Sequence, residues 1–204
     1  MPEDWEKQWN RAWSNIPLWW LILWRGYRSL LKAADLRSPR IIELGCGSGR
    51  TSLALAKLLR GSVTLVDNSE AAMVKAKRIF RDQGVRVKFI MRDLFSIEAT
   101  EKYDIVHSEG LIEHFDQERL NKLVGLHREL VRDGGYVIIF VPTPSRTYRV
   151  WRFLQERMGM WYYGDEHPIK LEKLKYLCHL NGLRVLRTAN TPFQVGVLCQ
   201  VKRN

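Results

Sequence analysis

Cysteine is scarce in this chain and badly spaced for its usual structural duties. Cys46, Cys178 and Cys199 are the only three among 204 residues, and no two form a CxxC pair. An odd, scattered set argues against a disulfide framework and a thiolate zinc site, so no metal and a reducing compartment are expected. Long apolar runs are lacking too. The longest, residues 16–24, is about half of the roughly 20 residues a membrane-spanning helix needs. Glu3, Asp4 and Glu6 precede it and no small-residue cleavage site follows, so no secretory leader is expected and the cytoplasm is the expected location. Internal repeats and low-complexity tracts are absent. With 46% apolar and 27% charged residues, the expectation is one globular domain over residues 1–204.

Acidic excess is also missing, since the net charge is +11. Residues 1–40 hold 7 basic and 4 acidic side chains, residues 41–142 hold 15 and 14, and residues 143–204 hold 11 and 4. The positive surplus therefore belongs to the two ends of the chain, which points to a local basic surface.

The middle of the chain alternates. Apolar runs at 41–44, 63–67, 87–91, 103–107 and 136–141 read as strands, with helical patterns starting near Ser48, Ser69 and Asp116. Asp133-Gly134-Gly135 is read as the stop of the third helix. A helix over 171–179 and strands at 183–187 and 194–202 follow. The pattern implies an α/β fold with a doubly wound, mostly parallel seven-stranded sheet ending in an antiparallel hairpin. Two pieces stand outside it. Residues 1–37 read as a Trp-rich helical cap, broken at Ser14-Asn15-Ile16-Pro17, with a stripe of Trp5, Trp9, Trp13, Ile16, Trp20, Leu23, Tyr27 and Leu30. Residues 143–168 read as a substrate-side helical insertion that interleaves Arg146, Arg149, Arg152 and Arg157 with Tyr148, Trp151, Phe153, Trp161, Tyr162 and Tyr163.

Between the first strand and its helix lies Glu43-Leu44-Gly45-Cys46-Gly47-Ser48-Gly49-Arg50. Glycines in such a turn let a ligand approach the backbone amides of a helix N-terminus. A dinucleotide fingerprint needs Gly or Ala three residues after its second glycine, where this chain has Arg50. Glu43 would also repel a pyrophosphate but suits a cationic amine. Cys46 is read as a small packed side chain.

These residues resemble motif I of the class I methyltransferases that use S-adenosylmethionine. The likeness continues in register: Asp67 ends the second strand and Asp93 follows the third. The resemblance implies that Glu43, Gly45, Cys46, Gly47 and Gly49 hold the amino acid end, Asp67 with Asn68 the ribose, and Asp93 with Leu94 the adenine. Asp104-Ile105-Val106-His107-Ser108-Glu109-Gly110-Leu111-Ile112-Glu113-His114-Phe115 is similar to the segment of small-molecule methyltransferases, including those of ubiquinone and menaquinone biosynthesis. That likeness implies Ser108 beside the sulfonium and Glu113-His114 in the pocket wall. It covers residues 38–142 strongly and 169–202 in outline, but neither uncovered piece.

The implied chemistry is in-line methyl transfer to O, N or C of a small, lipophilic or anionic molecule, leaving S-adenosylhomocysteine. Alignment supplies most of the rate, and a general base takes the acceptor's proton. His114, His167 and Glu109 are the candidates, with Tyr163 behind them and His107 read as buried support. No Asn-Pro-Pro-Tyr or Asp-Pro-Pro-Tyr motif follows the fourth strand, so amino-group methylation of bases is not expected. Alternatives are an RNA (tRNA) methyltransferase, to which interleaved arginines and aromatics would suit, and a non-catalytic cofactor-binding protein. The N-terminal helices are read as a lid over the cofactor, with a peripheral membrane contact as the alternative. Oligomeric state is not encoded in any motif.

Overall fold

The computed structural model describes residues 18–161, 164 and 166–201, with backbone alone at 18 and 19. Trp5, Trp9, Trp13, Ile16, the break at 14–17, Tyr162, Tyr163 and Asp165 lie outside the described residues.

Helix α1 (Leu18–Leu31) leads into β1 (Arg40–Leu44), α2 (Arg50–Leu59), β2 (Ser62–Asp67), α3 (Glu70–Phe80) and β3 (Val87–Met91). Then come β4 (Tyr103–Glu109), a 3-10 turn (Ile112–His114), α4 (Gln117–Leu130) and β5 (Val131–Pro142). Helix α5 (Arg146–Arg157), α6 (Leu171–Leu180), β6 (Leu183–Asn190) and β7 (Gln194–Val201) complete the order. The seven strands lie in the order β3-β2-β1-β4-β5-β7-β6. Pairing is parallel from β3 to β5, and β7 runs antiparallel to both β5 and β6. The order reverses between β1 and β4, so the ligand crevice of this architecture opens at their carboxyl ends.

Strand alternation assigns each residue to one of two cores. Ile42, Leu44, Val106, Val137 and Ile139 meet Leu120, Leu123 and Leu130 of α4 and Leu174 and Leu177 of α6. Ile41, Leu65, Ile105, Ile138 and Phe140 meet α1, α2 and α3 on the other side. Because Glu43 pairs in register with His107, both side chains stand side by side on the α1 and α2 face. Ser108 points the other way.

Helix α1 is held by Leu23, Tyr27 and Leu30, all fully buried, at roughly 1.5–3 kcal/mol each. The Tyr27 ring stacks on Phe140 with centroids 4.4 Å apart. The run from residue 18 to 24, apolar all round in sequence, thus spends its inner side on the sheet. Among the described residues, no helix is long and apolar enough to cross a membrane.

Capping follows the sequence. Ser69 Oγ accepts from the Ala72 amide and Asp116 Oδ1 from the Arg119 amide, opening α3 and α4. One boundary differs. Helix α4 stops at Leu130, and Asp133-Gly134-Gly135 lies inside β5, beside the point where the β4 register shifts between Tyr103 and Ile105. A Cβ on Gly135 would meet Val131 Cγ2 at 2.8 Å, so the glycines let the strand bend. They do not end the helix.

Candidate active site

The glycine turn is fastened to β2 by its own backbone. The Cys46 amide donates to the Val66 carbonyl at 2.9 Å, and the Gly49 amide donates to the Cys46 carbonyl at 2.8 Å. Gly45 and Gly49 hold φ of 63° and 66°, a region that costs an L-residue roughly 1–2 kcal/mol. Space forbids a side chain there as well: a Cβ would lie 2.6 Å from Leu111 at Gly45 and 2.7 Å from Leu65 at Gly49.

Asp67 joins the turn to the next strand. Its Oδ2 accepts from the Gly47 amide at 2.8 Å and its Oδ1 from the Ser69 amide at 3.0 Å. An ionised carboxylate has roughly four acceptor positions, so holding the loop does not exhaust it. Asn68 is exposed beside it. Asp93 is exposed beyond β3, accepts from the Phe95 amide at 3.1 Å, and precedes buried Leu94. The Arg92 amide donates to the Asp67 carbonyl, which draws the two acidic positions to one rim. Burial pushes the Cys46 thiol up, as suits a packed side chain.

Beneath the loop lies a polar network that the sequence did not reveal. Glu43 is buried with its Oε2 lacking a hydrogen-bond partner, 3.9 Å from His107 Nε2. Burial raises its carboxyl well above the usual range. His107 Nε2 lies 2.8 Å from Ser52 Oγ and its Nδ1 lies 3.3 Å from Tyr27 Oη. Burial first, then His127, pushes His107 down to about 3, so the ring is a neutral cross-link between α1 and α2. A second chain runs above it. Trp20 Nε1 donates to Thr51 Oγ1 at 3.3 Å, and Thr51 Oγ1 donates to Glu109 Oε2 at 2.7 Å. Burial raises Glu109 to about 7 despite the Thr51 hydrogen bond. Thr51 and Ser52 escaped sequence reasoning because only the helix start at Arg50 puts them under the glycines.

Ser108 is a correction. It is fully buried on the opposite face, 2.9 Å from His127 Nε2, because it is one residue out of phase with His107 and Glu109 on β4. Glu109, the next residue, is the one whose side chain reaches the first turn of α2, through Thr51.

The other candidates lie around the 3-10 turn that follows β4. His114 Nε2 lies 3.8 Å from Glu113 Oε1. The His167 amide donates to the Glu113 carbonyl, and Glu113 and His167 line a cleft of about 260 Å³ with Phe115, Leu120, Ile169 and Lys173. Glu113 is raised by burial and by Glu166. Tyr148 Oη donates to Glu166 Oε1 at 3.0 Å, and Arg152 donates to the Glu166 carbonyl at 2.8 Å. Trp151, Trp161 and Phe193 form an aromatic group, with Trp151 to Trp161 at 5.5 Å and Trp151 to Phe193 at 5.9 Å. The structure therefore splits the base candidates: Glu109 sits by the glycine loop, His167 lines the cleft, and His114 stands against Glu113.

Residues 41–135 match a family profile described as "Methyltransferase domain". The probable S-adenosyl-L-methionine-dependent methyltransferase TehB of Haemophilus influenzae is 27% identical over 169 residues, covering 72% of this chain but only 58% of its own length. A ubiquinone biosynthesis O-methyltransferase of Coxiella burnetii is 28% identical over 198 residues, covering 91% of this chain and 79% of its own. The fold matches the N-methyltransferase NodS of Bradyrhizobium japonicum, crystallised with S-adenosylhomocysteine, at a TM-score of 0.72 and 12% identity over 98% of this chain and all of that one. Magnesium protoporphyrin IX methyltransferase of Synechocystis matches at a TM-score of 0.68 and 19% identity, over 96% and 94% of the two chains. A glycine turn locked to an acidic β2 terminus, on this strand order, thus lies within a methyltransferase domain over residues 41–135, in a chain similar to S-adenosylmethionine-dependent methyltransferases.

Proposed function

We propose that the protein transfers a methyl group from S-adenosylmethionine to a small lipophilic or anionic molecule. The observation that carries this reading is the junction of Thr51, in the first turn of α2, with Glu109 at the end of β4. It sets a carboxyl near pH 7 against the helix terminus that follows the glycine loop.

The residues fit the donor's two ends. Amides at the start of α2 suit its carboxylate, and the orphaned Glu43 Oε2 supplies an acceptor for its ammonium. Asp67 would hold the ribose hydroxyls and Asp93 with Leu94 the adenine edge, while Gly45, Cys46, Gly47, Gly49 and Asn68 shape the path between them. When bound, S-adenosylmethionine supplies a methyl group already activated by a sulfonium, so the chain's remaining work is alignment and proton removal. Glu109 is the base we favour, since its value near 7 leaves much of it ionised at neutral pH without making it too weak. His114 and His167 would then orient the acceptor. The aromatic group of Trp151, Trp161 and Phe193 supports a lipophilic acceptor, and Arg152, over the Trp161 ring, supports an anionic one. The contact from Trp20 to Thr51 supports α1 as a roof over the donor.

Incubation with S-adenosylmethionine and a panel of quinols, phenols and amines, with S-adenosylhomocysteine as the readout, tests the proposal. Turnover with one acceptor class is expected. Binding of the donor with no turnover across the panel would favour a non-catalytic role.

A further inference from the structure

Helix α5 carries a surface that its own fold leaves bare. Tyr148, Trp151, Arg152 and Gln155 turn toward the body, where Tyr148 and Arg152 meet Glu166 and Trp151 meets Phe193. At helical spacing the opposite arc reads Arg146, Arg149, Val150, Phe153, Leu154, Arg157 and Met158. Val150 is 60% exposed, Phe153 56%, Leu154 49% and Met158 56%. Solvent faces of helices normally carry mixed polar and charged side chains. Apart from Thr147, this one holds apolar groups and arginines, and the one acid of the helix, Glu156, is exposed at its edge, where it pairs with Arg152.

We propose that α5 docks in the plane of an anionic lipid bilayer. Charge complementarity selects that partner. Three guanidinium groups, on a segment with 11 basic and 4 acidic residues over 143–204, match phosphate head groups, while the four apolar side chains reach the acyl boundary. Arg157 already lies over the Phe153 ring with its guanidinium carbon 5.8 Å from the centroid, the pairing of charge and apolar surface that a head-group layer rewards. A second copy fits poorly, because a two-fold contact would set arginines against arginines with no acid between them. Nucleic acid would engage the arginines but give Val150, Leu154 and Met158 nothing. Helix α5 begins four residues after β5 ends, at the carboxyl edge of the sheet. Docking there would open the acceptor side toward the bilayer, and only this consequence leans on the proposed lipophilic acceptor.

The test is co-sedimentation of the full chain with vesicles of phosphatidylcholine, with and without phosphatidylglycerol, at low and high salt. Binding is expected only with the anionic lipid, weakening as salt rises. The double variant F153S/L154S should weaken it at least about tenfold, and R146Q/R149Q/R157Q should abolish the preference for the anionic lipid. All five side chains are exposed, so thermal unfolding and S-adenosylhomocysteine affinity should stay unchanged in both variants, which separates this proposal from the methyltransferase reading. Four results would each overturn it: no binding to anionic vesicles, equal binding to neutral ones, variants that bind like the parent, or a face that these substitutions show to mediate dimerisation or RNA retention instead.

Discussion

The two sides of the crevice are built by different means. On the proposed donor side, a backbone turn and the acidic groups beside it are fixed by contacts from Cys46 to Val66 and from Gly47 to Asp67 within one βαβ unit. On the acceptor side, the walls are side chains brought together from distant places, as Tyr148 meets Glu166 and the His167 amide meets the Glu113 carbonyl. A site made of amides tolerates almost no change in its glycines. One made of side chains allows new specificity by substitution, at the cost of long-range dependence on α5 and the segment that follows it.

The largest effect expected is at the point where the two sides meet. Replacing Glu109 by Gln should lower kcat by about 10²–10⁴-fold with little change in donor affinity. For the parent enzyme, kcat/KM should rise with pH through about 7, since the base works as the carboxylate, and the variant should lack that step. The same group gives a stability check. Its folded value lies above the ordinary one, so it costs the fold stability as pH rises from the unfolded value through about 7. Glu109→Gln should therefore melt higher relative to the parent at alkaline pH than at acidic pH, measured by calorimetric scanning.

Next comes the donor side alone. Asp67→Asn keeps the shape but removes the charge that holds the Gly47 and Ser69 amides. A loss of about 1.5–3 kcal/mol in S-adenosylhomocysteine binding, or roughly 10- to 150-fold by calorimetry, is expected.

The smallest effect should fall on the acceptor side. Tyr148→Phe deletes the hydroxyl that donates to buried Glu166 and should cost about 1–3 kcal/mol of stability. It should raise acceptor KM while leaving donor affinity unchanged. An equal loss of donor affinity would show that the two sides are not separable.

This asymmetry also explains what could be read without coordinates. The glycine turn, Asp67 and Asp93 stand at fixed offsets from strand ends, so the family resemblance could be followed in register through them, and the mostly parallel sheet with its final antiparallel pair followed from the alternation. Ser108 was misplaced because one residue of phase on β4 moves a side chain to the opposite core. Tyr27, Ser52 and His107 meet across three elements of the fold, and no local pattern announces such a meeting. The Tyr148 to Glu166 contact was equally hidden, although both residues lie near the aromatic and basic insertion. The stripe of α1 reads first as a face packed on the body, and Leu23, Tyr27 and Leu30 are buried in the sheet core. Composition shows that a surface is apolar and not what covers it.

The rim from Glu43 to Asp93 is, in this proposal, shaped for an adenosyl sulfonium donor. Titration calorimetry with S-adenosylhomocysteine and, separately, with a nicotinamide dinucleotide tests it most directly. One-to-one binding of the first, weakened in Asp67→Asn, and no heat with the second are expected. Heat with the dinucleotide and none with S-adenosylhomocysteine would contradict it.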